Sequence, residues 1–345
     1  MSDSHRRVVM QWLGVCILTV FAMVVLGGAV RLTGSGLSMV DWRPLMGIFP
    51  PMGDVAWNEV FDQYKQYPEY QLVNQDMLLA DFKFIFYMEY FHRLLGRMVG
   101  LVFFIPFSVF LLRRMLPAWL KPGLWIALGL GACQGLMGWY MVKSGLVDDP
   151  HVSQYRLTAH LLLAVIIYAW LLRLFFALYY SATARVESAV ASKNGSDNAG
   201  PWVLFLILLM IATGGFMAGT KAGFIYNTWP TMGAQLVPEH LWGLSPWWRN
   251  LFENTVTIQF IHRWLAFLVL VSVVGYGISV VRADPWQVVR RFGWLAIFFV
   301  SFQVVLGIAT LLTRVPVLLG VTHQGVALLV LGAVIAIYSA YRPIA

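Results

Sequence analysis

An all-α integral membrane fold, eight transmembrane helices arranged as two parallel-repeat four-helix bundles, is what three observations on this chain predict. Only 12% of its 345 residues are charged and 59% are hydrophobic, far from the roughly one quarter charged that soluble domains carry. Eight apolar runs each reach the length of about 20 residues needed to cross a hydrocarbon core. The second half of the chain repeats the first.

The first run, about 8 to 30, follows Arg6 and Arg7. It is longer than the core of a cleavable signal and no small-x-small site closes it, so it reads as a retained helix. TGSG at 33–36 lacks the GKS or GKT of a phosphate loop and reads as a helix end and turn. The loop from about 31 to 85 holds seven acidic residues. A structureless loop of that length would be unusual, so short amphipathic helices lying at the membrane interface and covering the sites are expected there and in the matching loop at about 220 to 255. The second, third and fourth spans are expected at about 86 to 112, 122 to 142 and 157 to 180. The polar stretch from 181 to 200, with SKNGSDNAG, reads as a flexible cytoplasmic linker. It divides an N-terminal half, 1–180, from a C-terminal half, 201–345. The last four spans fall at about 201 to 219, 256 to 281, 292 to 312 and 317 to 341, and Trp242, Trp247 and Trp248 between them suit the membrane interface.

An even number of spans puts both termini on one side. Arg6, Arg7, Arg113, Arg114, Lys121, Arg185, Lys193, Arg282, Arg290, Arg291 and Arg342 lie in the short segments of that side. The opposite loops are about twice as long with a similar number of bases, so basic density places the termini in the cytoplasm. The net charge of +8 then reflects topology and anionic lipid. No basic stripe with interleaved aromatics points to nucleic acid. Cys16 and Cys133 both fall inside spans, which leaves no disulfide framework and no CxxC pair, so redox chemistry has to come from a cofactor.

The duplication is explicit. GGAVRLTGSGLSMVDWRPLMG from Gly27 lines up with GGFMAGTKAGFIYNTWPTMG from Gly214, slipping by one residue at Arg43. Gly27, Gly28, Thr33, Gly36, Trp42, Pro44, Met46 and Gly47 meet identical residues. FHR at 91–93 answers IHR at 261–263, Gln134 and Gly138 answer Gln303 and Gly307, and His160 answers His323. Four spans per half is even, so the halves insert in the same orientation, related by an axis along the membrane normal.

In each half one histidine opens the second span and one opens the fourth: His92 and His160, then His262 and His323. These helices run the same way, so all four imidazoles lie at one depth, towards the outer face. An imidazole in hydrocarbon is expensive unless something holds it. Two facing imidazoles on neighbouring helices suit the iron of a heme lying between them. For a single such histidine a hydrogen bond within the bundle would be the plainer reading; four at repeat-matched places favour ligation. Zinc is the competing metal, but there are no cysteine ligands and no second histidine at i+4. His5, His151 and His240 fall in the tail or loops and are expected to meet solvent. The halves differ beside the first pair: Glu89 stands three residues before His92, on one helix face, where the second half has Gln259. A carboxyl at one iron site and an amide at the other suggest proton-coupled chemistry in the first half only; an i,i+4 ion pair with Arg93 is the plainer role. Arg93 and Arg263 could pair with heme propionates or snorkel to the interface.

Over nearly its whole length the chain resembles the heme A synthases of the branch shared by proteobacteria and mitochondria. GGAVRLTGSGLSMVDWRPLMG, the E-x-x-H-R of Glu89 to Arg93, IHR at 261–263 and VTHQG around His323 carry the resemblance. It implies conversion of heme O to heme A, a methyl group becoming formyl through successive hydroxylation by molecular oxygen. It implies that Glu89, His92 and His160 serve the substrate heme, and that His262 and His323 hold a permanent heme b. Some bacterial members carry cysteine pairs in the outer loops; this chain has none, so no mechanism through loop thiols operates here. The resemblance further implies an inner-membrane location and an electron donor, with a heme O synthase as a candidate docking partner. Homo-oligomerisation is compatible with a membrane bundle. The rivals are a diheme electron carrier, which would need hemes at different depths, and a non-catalytic heme carrier, which has less use for Glu89.

Overall fold

The computed structural model describes residues 1–40, 49–145, 152–181, 196–342 and 344. Trp42, Arg43, Pro44, Met46 and Gly47 of the repeated motif, His151, Arg185 and Lys193 lie outside the described residues. Among the described residues ten α-helices carry the fold: α1 Asp3–Leu32, α2 Gly53–Tyr64, α3 Pro68–Leu72, α4 Leu79–Leu112, α5 Leu120–Gly145, α6 Gln154–Tyr180, α7 Ser196–Gly219, α8 Thr255–Ala283, α9 Gln287–Leu312 and α10 Val317–Tyr341. No strand occurs among the described residues. All except α2 and α3 are long and apolar enough to cross a membrane, so eight spans stand where eight were expected.

Several boundaries move outward from the apolar runs. α1 begins at Asp3, with the Ser2 hydroxyl accepting from the His5 amide at 3.3 Å, so exposed His5 sits in its first turn. α7 begins at Ser196, which takes the last residues from the expected linker. The largest shift is in α4, whose 34 residues make a rod of about 51 Å against a hydrocarbon thickness of about 30 Å. Its first turns, with Asp81 and Lys83, are helical but too polar to register as a span. The exposed part is covered by α2, whose Trp57, Phe61 and Tyr64 recur at i, i+4 and i+7 and pack on Phe82, Ile85, Phe86 and Tyr90 of α4. The expected cap helices thus exist in the first long loop. The second loop instead holds two 3-10 turns, Ala222–Phe224 and Trp247–Leu251. It is pinned by buried Asn250, which donates to the carbonyls of Leu244 and Trp247 at 2.8 and 2.9 Å.

TGSG does end a helix. Thr33 caps α1, Gly34 takes φ of +66°, and the Ser35 amide reaches back to the Val30 carbonyl at 2.9 Å. The register that matches Gly27 to Gly214 matches Gly34 to Lys221, which takes φ of +56° in the same turn after α7.

The helices pack as two rings. α1, α4, α5 and α6 contact one another in that order and close α6 on α1; α7, α8, α9 and α10 do the same, closing α10 on α7. The rings join where α1 meets α10 and where α6 meets α7 and α10. α10 is buried on all sides over Leu328 to Ala340, as a helix surrounded by helices must be.

Candidate heme sites

The four histidines stand on opposite corners of the rings: His92 on α4 faces the α6 of His160, and His262 on α8 faces the α10 of His323. α4 and α6 are held apart by their shared neighbours α1 and α5, as α8 and α10 are by α7 and α9. His92 and His160 lie within electrostatic reach of each other, and so do His262 and His323. All four histidines are half-buried. His160, His262 and His323 fall within the first two or three turns of their helices. His92 lies thirteen residues into α4, because that helix starts at Leu79, seven residues before the apolar run at 86 to 112.

Each ring rests on a glycine of an adjacent helix. A Cβ at Gly27 would stand 3.1 Å from Nε2 of His92, and one at Gly214 3.5 Å from Cε1 of His262. A Cβ at Gly138 would stand 3.2 Å from Cε1 of His160, and one at Gly307 2.9 Å from Cε1 of His323. Gly27 and Gly214 are partners in the duplication, as are Gly138 and Gly307, so the same cradle recurs at matching register.

One turn before these last glycines, Gln134 and Gln303 reach the same rings. Gln134 Nε2 donates to the His160 carbonyl at 3.1 Å and lies 3.2 Å from its Nδ1; Gln303 Nε2 donates to the His323 carbonyl at 2.9 Å and lies 3.4 Å from its Nε2. Thr213 Oγ1 lies 2.8 Å from Nδ1 of His262.

These residues fit a group held through two facing imidazoles. His323 Nδ1 is buried with no hydrogen-bond partner, a cost that bonding to another group would remove. Among the described residues no three His, Cys, Asp or Glu converge, whereas a protein-bound zinc would ask for three or four ligands. An open cavity of about 540 Å³ at the second loop, lined by Phe224, Ile225, Asn227, Thr228 and Arg314, includes none of the histidines.

Glu89 and Arg93 form the plainer of the two expected arrangements, and it is built into the fold. Four hydrogen bonds reach the buried Glu89 carboxylate: Ser38 Oγ and the Met39 amide donate to Oε2, each at 2.8 Å, and Arg93 donates to Oε1 through Nε at 3.0 Å and Nη2 at 2.5 Å. Arg93 Nη2 also donates to the Met39 carbonyl at 2.8 Å. In the second half Gln259 Nε2 and Arg263 Nη2 donate to the carbonyl of Tyr226 at 3.0 and 2.9 Å, and Arg263 Nη1 donates to those of Thr228 and Thr231. Met39 and Tyr226 are partners at the same register as Gly27 and Gly214. Each half therefore latches the segment leaving its first span onto the helix that carries its first histidine. Both guanidinium groups point donors at loop carbonyls and neither reaches out to solvent, Arg263 being 9% exposed.

Sequence reasoning named the histidines, Glu89 and both arginines. It saw the glycines and glutamines as repeated letters without their contact to the rings. It missed Thr213 and the anchor points Ser38 and Met39.

The family described as cytochrome oxidase assembly protein, COX15-CtaA, matches residues 10–335. A heme A synthase of Nitrosospira multiformis is 48% identical over 326 residues, covering 93% of this chain and 90% of that protein. One of Nitrosomonas eutropha is 43% identical over 333 residues, 96% of this chain and 93% of the relative. One of Brucella anthropi is 42% identical over 341 residues, 99% and 94%.

Proposed function

Because the chain belongs to the COX15-CtaA family of cytochrome oxidase assembly proteins, we propose that it is a heme A synthase, the name its relatives carry. It is an oxidoreductase that turns a methyl substituent of heme O into the formyl group of heme A. Each of two O2-dependent hydroxylations takes up two electrons and two protons and releases one water. The second leaves two hydroxyls on one carbon, which lose water to give the formyl group.

The observation that carries this reading is the glycine-backed histidine pair found once in each half. His92 and His160 hold the substrate heme; His262 and His323 hold a resident heme b, which when bound supplies an electron relay. The protein does the rest. Gly27 and Gly138 set the ring positions at the substrate site, and Gln134 orients His160. Glu89 and Arg93 close the segment after α1 over that site, giving it a carboxylate that the second half replaces with Gln259. The isoprenoid tail of heme O favours hydrocarbon by about 0.8 kcal/mol per buried methylene, so substrate enters between helices from the bilayer. The two rings are parallel repeats in the inner membrane, termini in the cytoplasm and sites towards the outer face. The reaction needs an electron donor and a supply of heme O, which a heme O synthase would provide.

The test is expression with a heme O supply and chromatography of extracted hemes. Wild type should yield the formyl heme, and Glu89→Gln should lower it about tenfold or more with heme b content kept. His262→Ala and His323→Ala should lose heme b from the absorption spectrum. Unchanged heme O in wild type would make the protein a heme carrier. Heme b lost in His92→Ala but kept in His262→Ala would exchange the roles of the halves.

A further inference from the structure

The hydrogen bonds around the first histidine of each pair are not symmetric. Thr213 Oγ1 lies 2.8 Å from the Met210 carbonyl oxygen and 2.8 Å from Nδ1 of His262. A threonine hydroxyl has one hydrogen, and a carbonyl oxygen can only accept. Both contacts are hydrogen bonds in one arrangement alone: the hydroxyl donates to Met210, and Nδ1–H of His262 donates to the hydroxyl. With both contacts made as hydrogen bonds, the imidazole proton is on Nδ1 and the lone pair on Nε2. The register that pairs Gly27 with Gly214 puts Leu26 opposite Thr213. Leucine can neither donate nor accept, and among the described residues the ring of His92 has no hydrogen-bond partner. The second histidine of each pair meets a glutamine amide in both halves, Gln134 lying 3.2 Å from Nδ1 of His160 and Gln303 3.4 Å from Nε2 of His323.

We propose that Thr213 is the positioning residue that would make His262 a fixed heme ligand, and that Leu26 would leave His92 an exchangeable one. This rests on the assignment of the resident heme to the second half. A ligating imidazole whose other nitrogen donates a hydrogen bond is locked in tautomer and rotation and is the stronger electron donor to iron. Losing such a partner costs about 10- to 100-fold in metal affinity. A resident cofactor calls for that arrangement. A substrate that must leave as product calls for its absence, so one hydroxyl separates a keeper from a turnover site within a duplicated frame.

The experiment uses the full-length protein purified with its heme b. Thr213→Val keeps the shape and removes the hydroxyl; Thr213→Ser restores the hydroxyl. Expected for Thr213→Val are a higher heme b midpoint potential, a changed low-spin electron paramagnetic resonance signature and about tenfold faster heme loss to an apo-globin acceptor. Thr213→Ser should return all three towards wild type, and Leu26→Thr should slow release of heme from the first half. Should Thr213→Val not accumulate, Thr213→Ala, which only removes atoms, carries the same test. Wild-type potential, resonance signature and heme loss in a valine or alanine variant would overturn the proposal. Heme b retained in His262→Ala would instead overturn the assignment of the resident heme, whatever Thr213 does.

Discussion

At Gly307 a methyl group would stand 2.9 Å from Cε1 of His323, closer than real Cβ contacts come. Cε1 is bonded to both ring nitrogens, so any shift it suffers moves the atom through which the proposed heme would be held. Gly307→Ala should cost about 1–3 kcal/mol in overpacking, which at 1.4 kcal/mol per decade is about fivefold to a hundredfold in heme b retained per protein. Gly214→Ala, whose methyl would meet His262 Cε1 at an ordinary 3.5 Å, should keep heme b within about twofold and gain a little helix stability. Quantitation of extracted heme b checks the pair; equal losses would mean that the backbone, not the ring contact, sets the site. The histidines themselves were legible because an imidazole in an apolar run is expensive and each had a repeat partner. Their glycines were legible only as letters, since a match in sequence carries no direction. Thr213 was invisible for the opposite reason: its partner is Leu26, and a comparison that rewards identity discards places where the halves differ.

The elements around α4 show how a helix can be hidden by polarity and still be fixed by packing. Its first turns carry Asp81 and Lys83, yet Phe82, Ile85 and Phe86 face α2, so a hydropathy window starts the span late while the amphipathic spacing of α2 remains readable. In the second loop the same expectation produced 3-10 turns, where prolines 230, 238 and 246 deny a longer helix its amides. The cap also contains a titratable device outside the membrane. Glu69 of α3 is 8% exposed and accepts from the Tyr64 hydroxyl at 3.1 Å, while Asn74 donates to that hydroxyl at 2.8 Å. Burial pushes the Glu69 carboxyl up to about 7, against the Tyr64 hydrogen bond and with help from the charge of Glu89. A folded value above the unfolded one means the folded cap holds the proton. Its contribution is full below about pH 4.5 and is lost as pH rises through about 7, at most about 3 kcal/mol. Hydrogen exchange of α2 and α3, corrected for intrinsic rates, should therefore speed up between pH 5 and 8 in wild type and stay flat in Glu69→Gln. A flat wild-type profile would refute it.

Across the whole molecule the paired glycines do two jobs at once. On α1, Gly27 backs His92 while Gly28 faces Gln324 of α10, the neighbour of His323; on α7, Gly214 backs His262 while Gly215 faces Thr158 of α6, two residues before His160. Each pair thus touches the first histidine of its own ring and the helix that carries the second histidine of the other. Small residues allow such approaches between membrane helices. The number of spans and the duplication could be read from sequence, but the central place of α6 and α10 could not, since lipid and protein are equally apolar surroundings. The two contacts differ in what can yield. A methyl at Gly215 would meet Thr158 Oγ1 at 2.8 Å and its Cα at 3.1 Å, and a backbone atom cannot swing aside. A methyl at Gly28 would meet the end of the Gln324 side chain, which can move by giving up its 2.8 Å hydrogen bond to the Val24 carbonyl, about 1 kcal/mol. Gly215→Ala, a change in the second half, should therefore push α6 and cut formyl heme production in the first half by about tenfold, with heme b content near wild type. Gly28→Ala should have a smaller effect, and on heme b in the second half. Measuring both hemes in both variants decides it: if each substitution disturbs only the site of its own half, the rings do not transmit packing strain through their shared helices.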